Sequence, residues 1–380
     1  MLRILSALSG EVLVELALEE VQVLSSIRDL KRFLVPKTNF TVFQQRLFRE
    51  DQSECLDEDS LEPRSLQLVL LAYPPADAAE DKKLFTACEQ DQPEELEQIL
   101  RSPRDPRVVL AGKTALHVAA RHGSVACIQL LVEAGAEVEP EEVYTSPLHV
   151  AARHGRAEAA RLLLDLGAEK DYSSNMQETP LHPASREGHL EVVRVLLERQ
   201  ALPDQADEDG LTPLHHCARS GHLDIARLLL NAGAARDPLT AGGAAPLHWA
   251  AAYGHVEVVK CLVEAGARID KARGDDRRSP LHMAVQHGQL EVVRFLLQGG
   301  ADHNNATLVE GATPLHWAAV NGHVQMAKLL LEARAELERK TKGGFSAMHM
   351  AVRTGNMALM RLLERGANDA RQKRRKCSAG

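Results

Sequence analysis

Seventeen histidines stand in this chain of 380 residues. Eight recur inside one short motif: TALH at 114–117, SPLH at 146–149, TPLH at 179–182 and 212–215, APLH at 245–248, SPLH at 279–282, TPLH at 313–316 and SAMH at 346–349. They are His117, His149, His182, His215, His248, His282, His316 and His349, with gaps of 32, 33, 33, 33, 34, 34 and 33 residues. Repeated imidazoles invite two chemistries, metal ligation and proton transfer. The spacing argues against the first. Helices stacked side by side lie about 8–10 Å apart, too far for two equivalent histidines to reach one zinc ion at about 2 Å each. Within a unit, His117/His122, His149/His154 and His282/His287 are five residues apart. That is about 140° around a helix, not one face. No GxxxxGK[ST], GxSxG, HExxH or CxxC occurs. The motif histidines therefore read as structural, and no catalytic residue, metal or cofactor is expected.

A period near 33 means a stack of small units, each packed on its neighbours. In the unit at 212–234, Thr212 is placed to cap a helix and Pro213 to begin it. Gly221 ends that short helix. Leu223, Ile225, Ala226, Leu228, Leu229 and Leu230 then space a second helix, which Gly233 closes in a left-handed conformation. About ten residues remain before the next cap, enough for a hairpin-like finger.

The pattern resembles the ankyrin repeat, down to LHVAARHG, LHWAAAYGH and VVKCLVEAGA. The resemblance covers 84–369 and implies an all-α solenoid of helix-turn-helix units with hairpin-like loops. It also implies that each Thr–His pair hydrogen-bonds locally and ties neighbouring units. LFTACEQDQPEELEQIL, from 84, keeps the apolar positions Leu84, Ala87, Leu96, Ile99 and Leu100 without the motif, as a capping unit would. Three departures stand out. Pro183 should remove a helical hydrogen bond. Gln200 and Arg334 occupy the closing-glycine position, where a left-handed non-glycine costs about 1 kcal/mol. The last unit has a short second helix between Gly355 and Gly366.

The repeat does not reach residue 1. MLRILSALSGEVLVELAL alternates about Ser9-Gly10 as a hairpin. SSIRDLKRFLV (25–35) is an amphipathic helix ended by Pro36, and QQRLF (44–48) and SLQLVLLAY (65–73) read as strands. This order resembles the ubiquitin fold, an α+β β-grasp. Without a terminal Gly-Gly after the last strand it implies a docking domain, not a conjugated modifier. The family's exposed apolar patch maps onto Leu8, Phe48 and Val69. Leu66, Leu68 and Leu70 are expected to face the core and Val69 the open face. The domain boundaries are thus 1–75 (ubiquitin-like), 76–83 (linker), 84–369 (array) and 370–380 (basic tail).

The formal charge is −8, which argues against a general nucleic-acid binder. The exception is RQKRRK at 371–376, either a nuclear signal or a solvated tail. The six cysteines are dispersed, and four sit in apolar repeat contexts, as reduced thiols would. No apolar run approaches a membrane span, and Glu11, Glu15, Glu19 and Glu20 oppose a secretory signal. A cytoplasmic monomer is expected, with the nucleus as a second location.

Ankyrin arrays bind on a concave surface of fingers and first helices. Arg121, Arg153, Arg186 and Arg219 share one position of that face in four successive units. Trp249, Tyr253 and Trp317 lie farther along, and arginine and aromatic residues are enriched at binding hot spots. Glu137, Glu139, Glu141 and Glu142 make the first finger acidic, and Asp204, Asp207, Glu208 and Asp209 a later one. The reading is a non-catalytic scaffold binding partner proteins on the concave face, with the ubiquitin-like domain docking on ubiquitin-pathway receptors. The rivals are a nuclear ankyrin regulator and a regulatory subunit of an enzyme.

Overall fold

The computed structural model describes residues 2–6, 12–16, 24, 26–38, 40–49, 53–57, 59, 65–71, 78–102, 105–140, 143–274 and 276–378. Contacts divide the chain into two compact units, residues 1–169 and 170–380.

The first unit opens with strands β1 (Leu2–Ser6) and β2 (Val12–Leu16), helix α1 (Ile27–Thr38), and strands β3 (Gln45–Phe48) and β4 (Ser65–Leu70). The sheet order is β2-β1-β4-β3. β1 is parallel to β4, and both outer pairings are antiparallel. Helix α1 starts after Ser26, whose hydroxyl accepts from the Asp29 N–H at 3.2 Å while the Asp29 carboxylate accepts from the Ser26 N–H at 3.1 Å. This reciprocal cap satisfies two donors that have no helical partner. Its apolar stripe of Ile27, Leu30 and Leu34 buries against Ile4, Leu47, Leu66 and Leu68. Pro36 does not end α1, as expected from sequence, but lies inside its last turn. So near the C-terminus it forfeits only its own bond, and the Thr38 hydroxyl donates to the Leu34 carbonyl at 3.0 Å. Leu70 also departs from expectation: it is 37% exposed at the strand end, beyond the core around Leu66 and Leu68. Leu8 and the Ser9–Gly10 turn lie outside the described residues.

Helical pairs follow. The first unit holds α2 (Ala78–Glu89) with α3 (Pro93–Arg101), α4 (Ala115–His122) with α5 (Val125–Glu133), and α6 (Pro147–Arg153) with α7 (Ala157–Asp165). A two-stranded finger, β5 (Val109–Leu110) and β6 (Lys113–Thr114), precedes α4. The second unit holds α8 (Leu181–Glu187) with α9 (Leu190–Glu198), α10 (Pro213–Ser220) with α11 (Leu223–Asn231), and α12 (Pro246–Tyr253) with α13 (Val256–Glu264). It continues through α14 (Pro280–Gln286) with α15 (Leu290–Gln298), α16 (Pro314–Val320) with α17 (Val324–Glu332), and α18 (Ala347–Thr354) with α19 (Met357–Ser378). Within each unit the first helices pack side by side, and the second helices form a parallel row behind them.

Small residues make this packing possible. Ala119, Ala151, Ala184, Ala218, Ala250, Ala284, Ala318 and Ala351 are fully buried on the first helices. At Gly221, φ is +86° and an added Cβ would lie 2.5 Å from the His255 ring. Glycine is needed there both for the left-handed turn and for the close approach. Gln200 and Arg334 do adopt positive φ, 61° and 70°. Pro183 delays its helix: α8 begins at Leu181, one residue later in the motif than α10 at Pro213. It has no N–H to make the bond that His216 makes to the Thr212 carbonyl at 3.2 Å. The last helix corrects the sequence reading. α19 runs through Gly366 to Ser378, so it is long rather than short, and the tail up to Ser378 is helical. After Gly366 the run ANDARQKRRKCS offers mainly good helix formers. No helix among the described residues is long and apolar enough to cross a membrane.

Candidate functional site

The eight motif histidines share one local geometry. In Thr212–His215 the Nδ1 accepts the Thr212 N–H and meets its hydroxyl, both at 3.0 Å. Nδ1 therefore carries no proton, and Nε2–H donates to the Ala244 carbonyl of the next repeat at 3.0 Å. The same bridge runs from His117 to Thr145 at 2.6 Å, from His182 to Leu211 at 3.1 Å, from His248 to Arg278 at 3.1 Å, from His282 to Ala312 at 3.3 Å and from His316 to Phe345 at 3.1 Å. At Ala245 the motif lacks a hydroxyl, and His248 keeps only the backbone N–H, at 3.1 Å. His149 and His349 meet Ser146 and Ser346 in the same local pairing, at 2.9 and 2.7 Å. Burial pushes His182, His215, His248 and His282 down to about 4. These are neutral struts, and each ring nitrogen is already engaged.

Sequence reasoning missed a second row of struts. The His222 and His255 Nε2 atoms bond the Arg186 and Arg219 carbonyls at 3.1 and 2.9 Å, and Gln289 donates to the Ala252 carbonyl at 3.0 Å. These side chains follow the first-helix glycine and satisfy the carbonyls at the end of the preceding first helix. Their signal was the recurrent GH or GQ pair. A third row lies on the fingers. Asp171, Asp204, Asp237 and Asp270 accept backbone N–H groups of Leu202, Ala235, Arg268 and Asp302.

The four row arginines differ in what they meet. In the first unit Arg121 and Arg153 line one groove of about 380 Å3, between the finger and helices α2, α4 and α6. In the second unit Arg186 is drawn onto Glu178 and also reaches Glu187 at 3.4 Å. Arg219 instead lies over two rings, with its guanidinium carbon 5.5 Å from the Trp249 ring centre and 5.8 Å from that of Tyr253. The two rings stack at 6.2 Å, and Tyr253 is 49% exposed. Trp317 carries Arg278 at 4.7 Å. Both indole N–H groups are buried with no acceptor among the described residues. On the second helices, arginines find acids along their own helix: Arg194 with Glu191 at 3.5 Å, Arg227 with Asp224 at 4.0 Å and Arg294 with Glu291 at 3.5 Å.

Glu178, Asp207 and His216 form the one cluster of metal-ligand types among the described residues, all three buried. Its members already answer one another. The His216 Nε2 bonds Asp207 at 3.0 Å, while the other Asp207 oxygen accepts the Asp209 and Leu211 N–H groups at 3.0 and 2.8 Å. Burial pushes the Glu178 carboxyl up, but the hydrogen bond and charge of Arg186 outweigh it and hold the group below its usual range. Burial likewise pushes His216 down, against the pull of Asp207. A cation here would have to compete with Arg186 for Glu178.

On the N-terminal sheet, Val69 and Phe48 are half-buried on the face opposite the core. Arg46, opposite Val69, donates to the Arg101 carbonyl at the end of α3. Helix α1 reaches the second-helix row through Arg28 to Glu97 at 2.5 Å and through Arg32 to Glu133.

A family model described as "Ankyrin repeats (3 copies)" matches residues 84–175, 169–240, 234–307 and 300–373. Among solved structures, the chain is similar to the human ASB11 ankyrin repeat domain. The identity is 29% and the TM-score 0.53, over 58% of this chain and 98% of that one. No curated protein matches.

Proposed function

Since the chain belongs to the ankyrin-repeat family, we propose that it is a non-catalytic scaffold holding partner proteins against its fingers and first helices. One contrast carries the reading. Arg219 lies over aromatic rings and, among the described residues, pairs with no acid, whereas the second-helix arginines Arg194, Arg227 and Arg294 are each neutralised on their own helix. Cations beside aromatic surface are the groups that dominate protein interfaces.

We read residues 1–75 as a ubiquitin-like docking domain, 76–83 as a linker and 84–369 as the array. The support is the sheet order β2-β1-β4-β3, its central parallel pair and helix α1 across one face. Phe48 and Val69 are half-buried apolar groups on the face opposite the core, and ubiquitin-pathway receptors are the partner class that follows. Cys55, Cys88, Cys127, Cys217 and Cys261 are buried free thiols, which supports a reducing compartment.

Affinity capture with the full chain tests both surfaces. Reversal of Arg121 and Arg219 to Glu is expected to deplete captured partners, while reversal of Arg194 and Arg227 leaves them bound. A larger loss from the second pair would place binding on the second-helix face and sink the scaffold reading. Phe48→Ala with Val69→Ala is expected to lower capture of ubiquitin receptors without lowering the melting temperature. Unchanged capture by that folded variant would remove the patch.

A further inference from the structure

The groove of the first unit carries a charge pattern that selects its occupant. Three of its lining residues, Glu89, Arg121 and Arg153, stand 32 residues apart. They close the successive first helices α2, α4 and α6, and all three are exposed. One helical turn before them lies a second row, Thr86, Val118 and Val150, which lines the same groove. Glu89 is, among the described residues, the only carboxylate in that lining. Among the described residues neither Glu89 nor Arg121 forms an ion pair, although Lys83, on the same helix as Glu89, pairs with Glu80 at 2.7 Å. Along its helix-end row the groove therefore presents one negative and two positive charges in line, with Lys82 and Lys113 as further cations of the lining, beside a small apolar strip.

The spacing of that line is fixed by helix packing. Neighbouring first helices step by about 8–10 Å. A polyproline-II segment has three residues per turn and a rise of about 3.1 Å, so side chains three apart recur on one face at about 9.3 Å. A β-strand at about 3.3 Å per residue alternates faces and would turn every second such charge away. Resting on the reading that this face binds protein, we propose that the groove takes an extended polyproline-II segment of a partner. That segment carries a basic residue at position i, acidic residues at i+3 and i+6, and an apolar side chain between the two acids. The basic residue meets Glu89, the acids meet Arg121 and Arg153, and the apolar side chain lies on Val118 and Val150. Charge order then sets register along the groove.

Two fluorescein-labelled, proline-rich synthetic peptides of identical composition test this by fluorescence anisotropy on the full chain. One has the order lysine–x–x–glutamate–x–x–glutamate. The other places lysine centrally, so that neither chain direction matches the groove. The first is expected to bind about tenfold more tightly, and Arg121→Glu to weaken it about tenfold. Glu89→Lys is expected to switch preference to a third peptide with glutamate at all three places. Both positions are exposed, and unchanged melting temperatures of the variants confirm that they fold. Equal binding of the first two peptides, no binding of the first, or indifference to both substitutions would each overturn the proposal. If the Arg121 and Arg219 reversals still deplete captured partners, only this inference falls. If they do not, the scaffold reading falls with it.

Discussion

Acid should dismantle the second unit through its histidine struts. In each bridge Nδ1 faces a backbone N–H, so a proton there would oppose donor to donor. Burial pushes His182, His215, His248 and His282 from 6.5 down to about 4. The unfolded chain takes up these protons near pH 6.5 and the folded chain only near pH 4. The contribution of each strut is therefore complete above 6.5 and is lost as pH falls from 6.5 to 4. Between pH 7 and pH 5 that amounts to about 2 kcal/mol per histidine. Four independent groups would lose about 8 kcal/mol, comparable with the whole stability of a typical domain. The first unit has an opposing group. Burial raises the Glu139 carboxyl to about 7, so its burial cost is relieved over the same interval.

The assay is built into the chain. Its two tryptophans, Trp249 and Trp317, both lie in the second unit, so urea titration followed by their fluorescence reads that unit. The transition midpoint should fall steeply between pH 7 and pH 5. His215→Ala removes the bonds to Thr212 and leaves the Ala244 carbonyl with the Thr240 N–H alone, a loss of about 1–3 kcal/mol at pH 7. It also removes one acid-sensitive group, so the slope of stability against pH should shrink by about 1 kcal/mol per pH unit between 4.5 and 6. A midpoint independent of pH, or a variant that keeps the full slope, would refute the strut argument.

Gln200→Gly should stabilise the second unit by up to about 1 kcal/mol, because the side chain is exposed and the backbone sits at φ 61°; a destabilised variant would mean that the glutamine makes an interaction glycine cannot replace. Stoichiometric zinc should leave the melting temperature of the full chain unchanged, since Arg186 holds Glu178 and His216 is bonded to Asp207. A zinc-dependent rise that disappears in His216→Ala would make that cluster a metal site.

The repeat frame was legible because one physical solution is written eight times. Ser or Thr before Leu-His can only cap and bridge in one way, and the glycine positions mark where the backbone must turn left-handed. What escaped was pairing between repeats. Asp171, Asp204, Asp237 and Asp270 are spaced by 33 residues, yet counted only as finger charge they resemble surface acidity. Their partners are backbone N–H groups about one repeat onward, and no side-chain pattern announces those. Asp207 was misjudged in the same way, because one of its carboxylate oxygens serves its own loop and the other His216. The end of α19 was illegible for a different reason. Gly366 has the right place for a helix stop, but the run after it keeps enough good helix formers to carry the helix on to Ser378.

The arginine row shows why periodicity locates a surface without fixing its chemistry. One repeat position holds Glu89, Arg121, Arg153, Arg186 and Arg219. Equivalent placement puts all five at the ends of first helices. Neighbours that do not repeat then decide what each can do. Glu178 stands where other repeats carry Lys113, Thr145 or Leu211, and it withdraws Arg186 into an internal pair. Trp249 stands where the preceding repeats carry His216, Pro183 and Val150, and it gives Arg219 an aromatic bed. Glu89 reverses the sign at the start of the row. A partner therefore meets no uniform ladder of charge. Within each unit it meets distinct local environments, and its specificity has to reside in the order of its own side chains.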